Sequence, residues 1–183
     1  MDSEEWEHKG LLLFTQNRID DALDAYNKAI QINPAGYLAW SLKCDILLYL
    51  NNYDEALHAI NQALRFRPDN SDYWLKKGDI LYFLGQYEDS LSAYTRGIEL
   101  NPKSIACWIG KSNTCEKLKR YDDALPAINT ALALDPEIKY HWFLKAEICN
   151  KLNHNSDAFS AFSTAISFEP TEQFSKFFSC ILR

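Results

Sequence analysis

The chain has 183 residues, 47% hydrophobic and 24% charged, which suits one folded domain with a core and excludes a disordered chain. A formal net charge of −6 lacks the basic face that a general nucleic-acid binder needs to neutralise phosphates. The longest apolar runs, such as 46–50, are far too short to cross a bilayer, and the acidic start Met1-Asp2-Ser3-Glu4-Glu5 is unlike a secretion signal. A cytoplasmic protein with no nucleic-acid and no membrane partner is expected.

Three ladders organise the sequence. The tryptophans stand at Trp6, Trp40, Trp74, Trp108 and Trp142, each 34 residues after the last. Pro34, Pro68, Pro102, Pro136 and Pro170 keep the same interval, as do Lys9, Lys43, Lys77, Lys111 and Lys145. The chain is therefore read as five copies of one unit, at residues 3–36, 37–70, 71–104, 105–138 and 139–172.

In the first unit, apolar residues at helical spacing precede Asp20-Asp21, an acidic pair suited to the first turn of a second helix. The second unit repeats this with a polar break at Asn51-Asn52 and acids at Asp54-Glu55. In the third, Trp74, Gly78 and Leu81 mark one helix; Tyr87, Leu91, Tyr94, Ile98 and Leu100 mark the other. Gly85-Gln86 divides them, and Gly97 should cost the second helix about 1 kcal/mol. In the fourth, Pro126 lies inside the second helix and should remove one backbone bond and bend it. The fifth carries no acidic pair, and its proline precedes a last segment, 171–183, with Thr171 as a candidate N-cap. There Phe174, Phe177, Phe178, Ile181 and Leu182 form an i, i+3, i+4, i+7, i+8 stripe, fit for a cap on the last repeat or for self-association. Residues 1–36 carry 3 basic and 7 acidic side chains, whereas 173–183 carry only Lys176 and Arg183, so head-to-tail attraction would be sensitive to salt.

The pattern resembles the tetratricopeptide repeat. With Trp6 as the fourth place of its unit, the small eighth place is Gly10, Cys44, Gly78, Ser112 and Ala146. The small twentieth is Ala22, Ala56, Ser90, Ala124 and Ala158, and the bulky twenty-fourth is Tyr26, Ile60, Tyr94, Ile128 and Phe162. Ala29, Ala63, Gly97, Ala131 and Ala165 hold the small twenty-seventh. Small residues let paired helices approach while bulky ones fill the gap. The resemblance implies an all-α fold: a right-handed α-solenoid of antiparallel helix pairs, about eleven helices in one domain over 1–183. The tryptophans are expected to be buried. The lysine ladder departs from the family, and each Lys is expected to lay its stem over the helix interface and lift its amine to water.

No catalytic constellation is present. The four histidines hold different places in their repeats, and there is no GxSxG, phosphate loop or HExxH. Five cysteines without a CxxC pair suit reduced, mostly buried thiols better than disulfides or zinc. No enzyme activity, cofactor or metal is expected.

The resemblance also implies a role, since the first helices of such repeats line a concave groove that holds a partner's peptide or helix. The groove places carried over here include Leu38, Leu42 and Asp45; Leu75, Asp79 and Tyr82; Ile109 and Asn113; and Phe143 and Glu147. The ninth place, Asp45, Asp79, Asn113 and Glu147, makes a largely acidic line beside apolar residues, which suits a partner with apolar anchors and a Lys or Arg. The family's carboxylate clamp for chaperone tails is excluded, because no register supplies its Lys and Asn residues and Asp45 and Asp79 would repel a carboxylate. The expectation is a non-catalytic protein-interaction scaffold. The alternative is a self-assembly module, a homo-oligomer built through Phe174, Phe177, Phe178 and Ile181.

Overall fold

A computed structural model describes residues 1–167; the segment 171–183, with its expected eleventh helix, lies outside the described residues. Among the described residues there are ten helices and no strand. Five first helices of thirteen residues each are α1 (Ser3–Thr15), α3 (Tyr37–Tyr49), α5 (Ser71–Phe83), α7 (Ile105–Lys117) and α9 (Lys139–Lys151). They alternate with second helices α2 (Ile19–Ile32), α4 (Tyr53–Phe66), α6 (Tyr87–Leu100), α8 (Tyr121–Leu134) and α10 (Asn155–Ser167). Each helix packs against its pair partner, and α2, α4, α6 and α8 also pack against the first helix that follows. The pairs stack into a right-handed α-solenoid. Successive first helices approach one another, α1 with α3 and α5 with α7, so they lie on the inner curve.

Each turn within a pair has one residue in the left-handed region: Asn17, Asn51, Gly85, Lys119 and Asn153, with φ between 57 and 75°. The residue after it donates back across the helix end, as Asn52 N–H does to the Leu47 carbonyl at 2.8 Å. That bond satisfies a carbonyl the helix leaves open and turns the chain into the second helix. Asparagine and glycine tolerate this conformation; Lys119 holds it at a steric cost.

The tryptophan and proline ladders share one cause. Trp40, Trp74, Trp108 and Trp142 each donate an indole N–H to the carbonyl of the proline six residues earlier, at 2.8–3.0 Å. These rings are half-buried, not enclosed as expected, because the indole edge must reach a surface carbonyl. The lysine ladder also differs from expectation. The ammoniums of Lys9, Lys43, Lys77, Lys111 and Lys145 lie over the ring of the tryptophan three residues before, 4.6–5.8 Å from its centroid. One helical turn brings cation and π-face together.

The two local rule-breakers find their explanation in packing. Helix α8 keeps the fourteen-residue span of α4 and α6 through Pro126, which is exposed, as is Asp122, whose carbonyl loses its donor. A Cβ on Gly97 would lie 2.8 Å from the Cys107 sulfur, so the glycine admits α7 close to α6. Cys44, Cys107, Cys115 and Cys149 are buried free thiols, and burial pushes the Cys44 thiol up to about 12. No described helix is long and apolar enough to cross a membrane.

Candidate functional site

Five of the residues singled out from the sequence converge. Leu75, Asp79 and Tyr82 from α5 and Ile109 and Asn113 from α7 line one hollow of about 330 Å³, with Phe83 and Ala106 at its edge. The helical period puts residues three and four apart on one face, and the close approach of α5 to α7 sets the two faces side by side. Phe143 and Glu147 lie elsewhere, in a hollow of about 530 Å³ between α9 and α10 lined also by Phe159 and Phe162. Leu38 is 46% exposed, and Leu42 packs against the core of the first two helix pairs, beside Tyr26 and Ile46.

The acidic line is not uniform. Asp45 is neutralised within the chain: the Lys76 ammonium sits 2.6 Å from its carboxylate and also donates to Ser41 Oγ at 3.1 Å. Asp79 has no cation within ion-pair distance among the described residues. It accepts the Tyr94 hydroxyl at 2.6 Å through Oδ1. Burial raises the Asp79 carboxyl above its usual range, and the Tyr94 hydrogen bond only partly opposes this. Burial and the adjacent carboxylate likewise push the Tyr94 phenol far up. Glu116, on the next turn of α7, is raised by burial and by repulsion from Glu147. The middle of the groove thus holds one carboxylate, Asp79, with no ion-pair partner among the described residues, while Lys117 and Lys151 partly offset Glu116.

Tyr94 belongs to a second helix, and two glycines let it reach the groove. A Cβ on Gly78 would lie 2.6 Å from its ring, and a Cβ on Gly110 would lie 2.4 Å from it. The ring passes between these two backbones and delivers its hydroxyl to Asp79. Sequence reasoning placed Tyr94 only in the helix interface and missed its role in the groove. A signal was there to be read. Only the third unit joins a tyrosine at the twenty-fourth place to an acid at the ninth, with glycine at its own eighth place and at the sixth place of the next unit.

Other chemistry is sparse. Among the described residues, no group of three or more His, Cys, Asp or Glu could hold a metal ion. His141 is buried, with Nδ1 lacking a hydrogen-bond partner among the described residues, and burial lowers its pKa.

Family models described as tetratricopeptide repeat match residues 13–80, 71–104 and 116–172. A comparison of the sequence with curated proteins finds no match. Among solved structures, YrrB, described as a TPR protein with an unusual peptide-binding site, superposes with a TM-score of 0.85 at 20% identity, covering 97% of this chain and 92% of its own. MamA from Desulfovibrio magneticus RS-1 has a TM-score of 0.85 at 14% identity, over 90% of this chain and 93% of its own. Pseudomonas aeruginosa pilF has a TM-score of 0.78 at 15% identity, over 93% and 78%. At these identities the likeness is one of fold.

Proposed function

The chain belongs to the tetratricopeptide-repeat family, a family of protein-interaction repeats, and we propose that it is a non-catalytic scaffold that binds a segment of a partner protein along the inner face of its first helices. The observation that carries this reading is the hollow between α5 and α7, where Leu75, Tyr82, Phe83 and Ile109 leave apolar surface open around Asp79 and Asn113. Apolar pockets around a few polar groups are where binding energy concentrates, and charge sets the orientation. Leu38, Leu42, Asp45, Phe143 and Glu147 extend the proposed face along α3 and α9. The partner carries apolar and basic residues and is not a chaperone tail held by its terminal carboxylate. The peptide-binding site named for YrrB is consistent with this reading. Buried free thiols are consistent with a reducing compartment such as the cytoplasm. Affinity purification with the native chain and with Ala106→Trp, which fills the hollow from its exposed edge, tests the proposal. Partners lost by the variant, while its size in solution stays the same, support it; an identical set of partners refutes it.

A second reading is self-assembly, favoured by the exposed apolar side chains of α10. Ile166 is 46% exposed, whereas its counterpart Leu132 is 5% exposed beneath α9. Phe159 is 74% exposed. The stripe Phe174, Phe177, Phe178 and Ile181 would join this surface to a second copy. Light scattering over a concentration series, with the whole chain and a 1–170 truncation, tests this; a whole chain that stays monomeric throughout dismisses it.

A further inference from the structure

The helix pairs differ in how they treat the acid at the ninth place, and the difference points to a ligand. In the second unit the charge of Asp45 meets the ammonium of Lys76, which comes from the sixth place of the next unit. The residue at the corresponding place over Asp79 is Gly110, which has no side chain. A Cβ there would lie 2.4 Å from the Tyr94 ring, so a side chain could enter only by displacing that ring. The same ring holds Asp79 Oδ1 through its hydroxyl, while Oδ2 accepts no hydrogen bond among the described residues. A half-buried carboxylate is thus fixed in place at the edge of an apolar hollow, and the chain excludes the cation that satisfies its counterpart one unit earlier.

We propose that Asp79 is the receptor for a lysine or arginine side chain of the bound segment, whose cation takes the position over Asp79 that Lys76 holds over Asp45. Its methylene stem lies against Tyr82 and Ile109, and a neighbouring apolar residue of the segment fills the remaining hollow beside Phe83 and Leu75. Tyr94 acts as a positioning residue: its hydroxyl orients the carboxylate and leaves the second oxygen for the ligand. This inference rests on the groove reading above and names the residue that the groove selects.

The test is selection of a phage-displayed random dodecapeptide library on the 183-residue protein, with recovered peptides measured against Ala106→Trp, Asp79→Asn and Asp45→Asn. Asparagine can still accept the Tyr94 hydroxyl, so Asp79→Asn keeps the local hydrogen bond, and circular dichroism checks that each variant is folded. Peptides blocked by Ala106→Trp should be enriched in Lys or Arg next to an apolar residue. Their affinity should fall about tenfold on Asp79→Asn and less than about twofold on Asp45→Asn. Replacing the enriched Lys by Met should weaken binding to the native protein but not to Asp79→Asn, which makes the two losses one interaction. Groove-blocked peptides with no basic enrichment, or indifferent to Asp79→Asn, would overturn the Asp79 assignment and leave the groove reading standing. Recovery of no peptide that Ala106→Trp blocks would overturn both.

Discussion

The second and third helix pairs solve one packing problem in two ways. Between α3 and α4 a medium residue faces a medium one, Cys44 and Ile60, both fully buried. Between α5 and α6 the smallest residue faces a large one, Gly78 and Tyr94, with the ring inside the distance a Cβ would need. The interface is filled in both, but only the tyrosine is long enough to pass through it and place a polar group in the groove. Equivalent positions in a repeat therefore share a backbone without sharing a chemistry. The acid of one pair is closed off by Lys76, and the acid of the other is open.

Four experiments would break or sharpen that contrast. Gly78→Cys, which copies the second pair's residue into the third, should cost about 3 kcal/mol by overpacking against Tyr94, measured by urea denaturation. Adding Tyr94→Ile should restore most of that loss; a double variant as unstable as the single one would mean that the two residues are not exchanged as a pair. Trp40→Ala and Trp74→Ala mark what the pairs have in common. Each should cost about 2–3 kcal/mol, from a half-buried ring, an indole hydrogen bond and a lysine cation–π contact. Costs that differ by more than about 1 kcal/mol would show that the shared scaffold is less uniform than its geometry.

The turn of the third pair uses Gly85 where the next uses Lys119, both at positive φ. Lys119→Gly should gain about 0.5 kcal/mol in thermal or urea unfolding, as relief of strain outweighs the added freedom of the unfolded chain. The smallest effect is a slope with pH. The folded-state pKa of Asp79 is raised, so between its unfolded and folded values the fold binds a proton that the unfolded chain has released. Stability is therefore lost as pH rises through that window, and the cost persists above it. Asp79→Asn removes this dependence, so its stability relative to the native chain should increase from pH 3 upward and then level off. A difference that shrinks with rising pH would mean that Asp79 is stabilised, not strained, by its setting.

If that dependence is measured, Asp79 lowers stability at neutral pH while two glycines and a tyrosine hold it in place, which would fit the proposed binding role better than a packing one. The third pair is where the array departs from its own rule.

Much of the architecture could be read from the chain alone. The 34-residue ladders, the small places and the acidic first turns depend on local spacing and backbone preference, which a sequence displays directly. Less of the groove could be read. Leu75, Asp79, Tyr82, Ile109 and Asn113 were identified by place, but their convergence on one hollow depends on how closely α5 and α7 approach. Leu42 was assigned to the groove by the same logic, yet the core takes much of it up. The tryptophan–proline hydrogen bond was hidden because it joins a side chain to a carbonyl in the preceding loop.

What the sequence determined by itself was periodic: the helix pairs, their order, and which face of each helix is apolar, because these follow from the 3.6-residue repeat of a single helix. What only the tertiary structure decided was which charges are satisfied. Lys76 reaches Asp45, and Tyr94 reaches Asp79 past Gly78 and Gly110, through space between helices. Whether a carboxylate is neutralised or left open depends on a few ångströms of side-chain reach, and spacing along the chain carries no record of that distance.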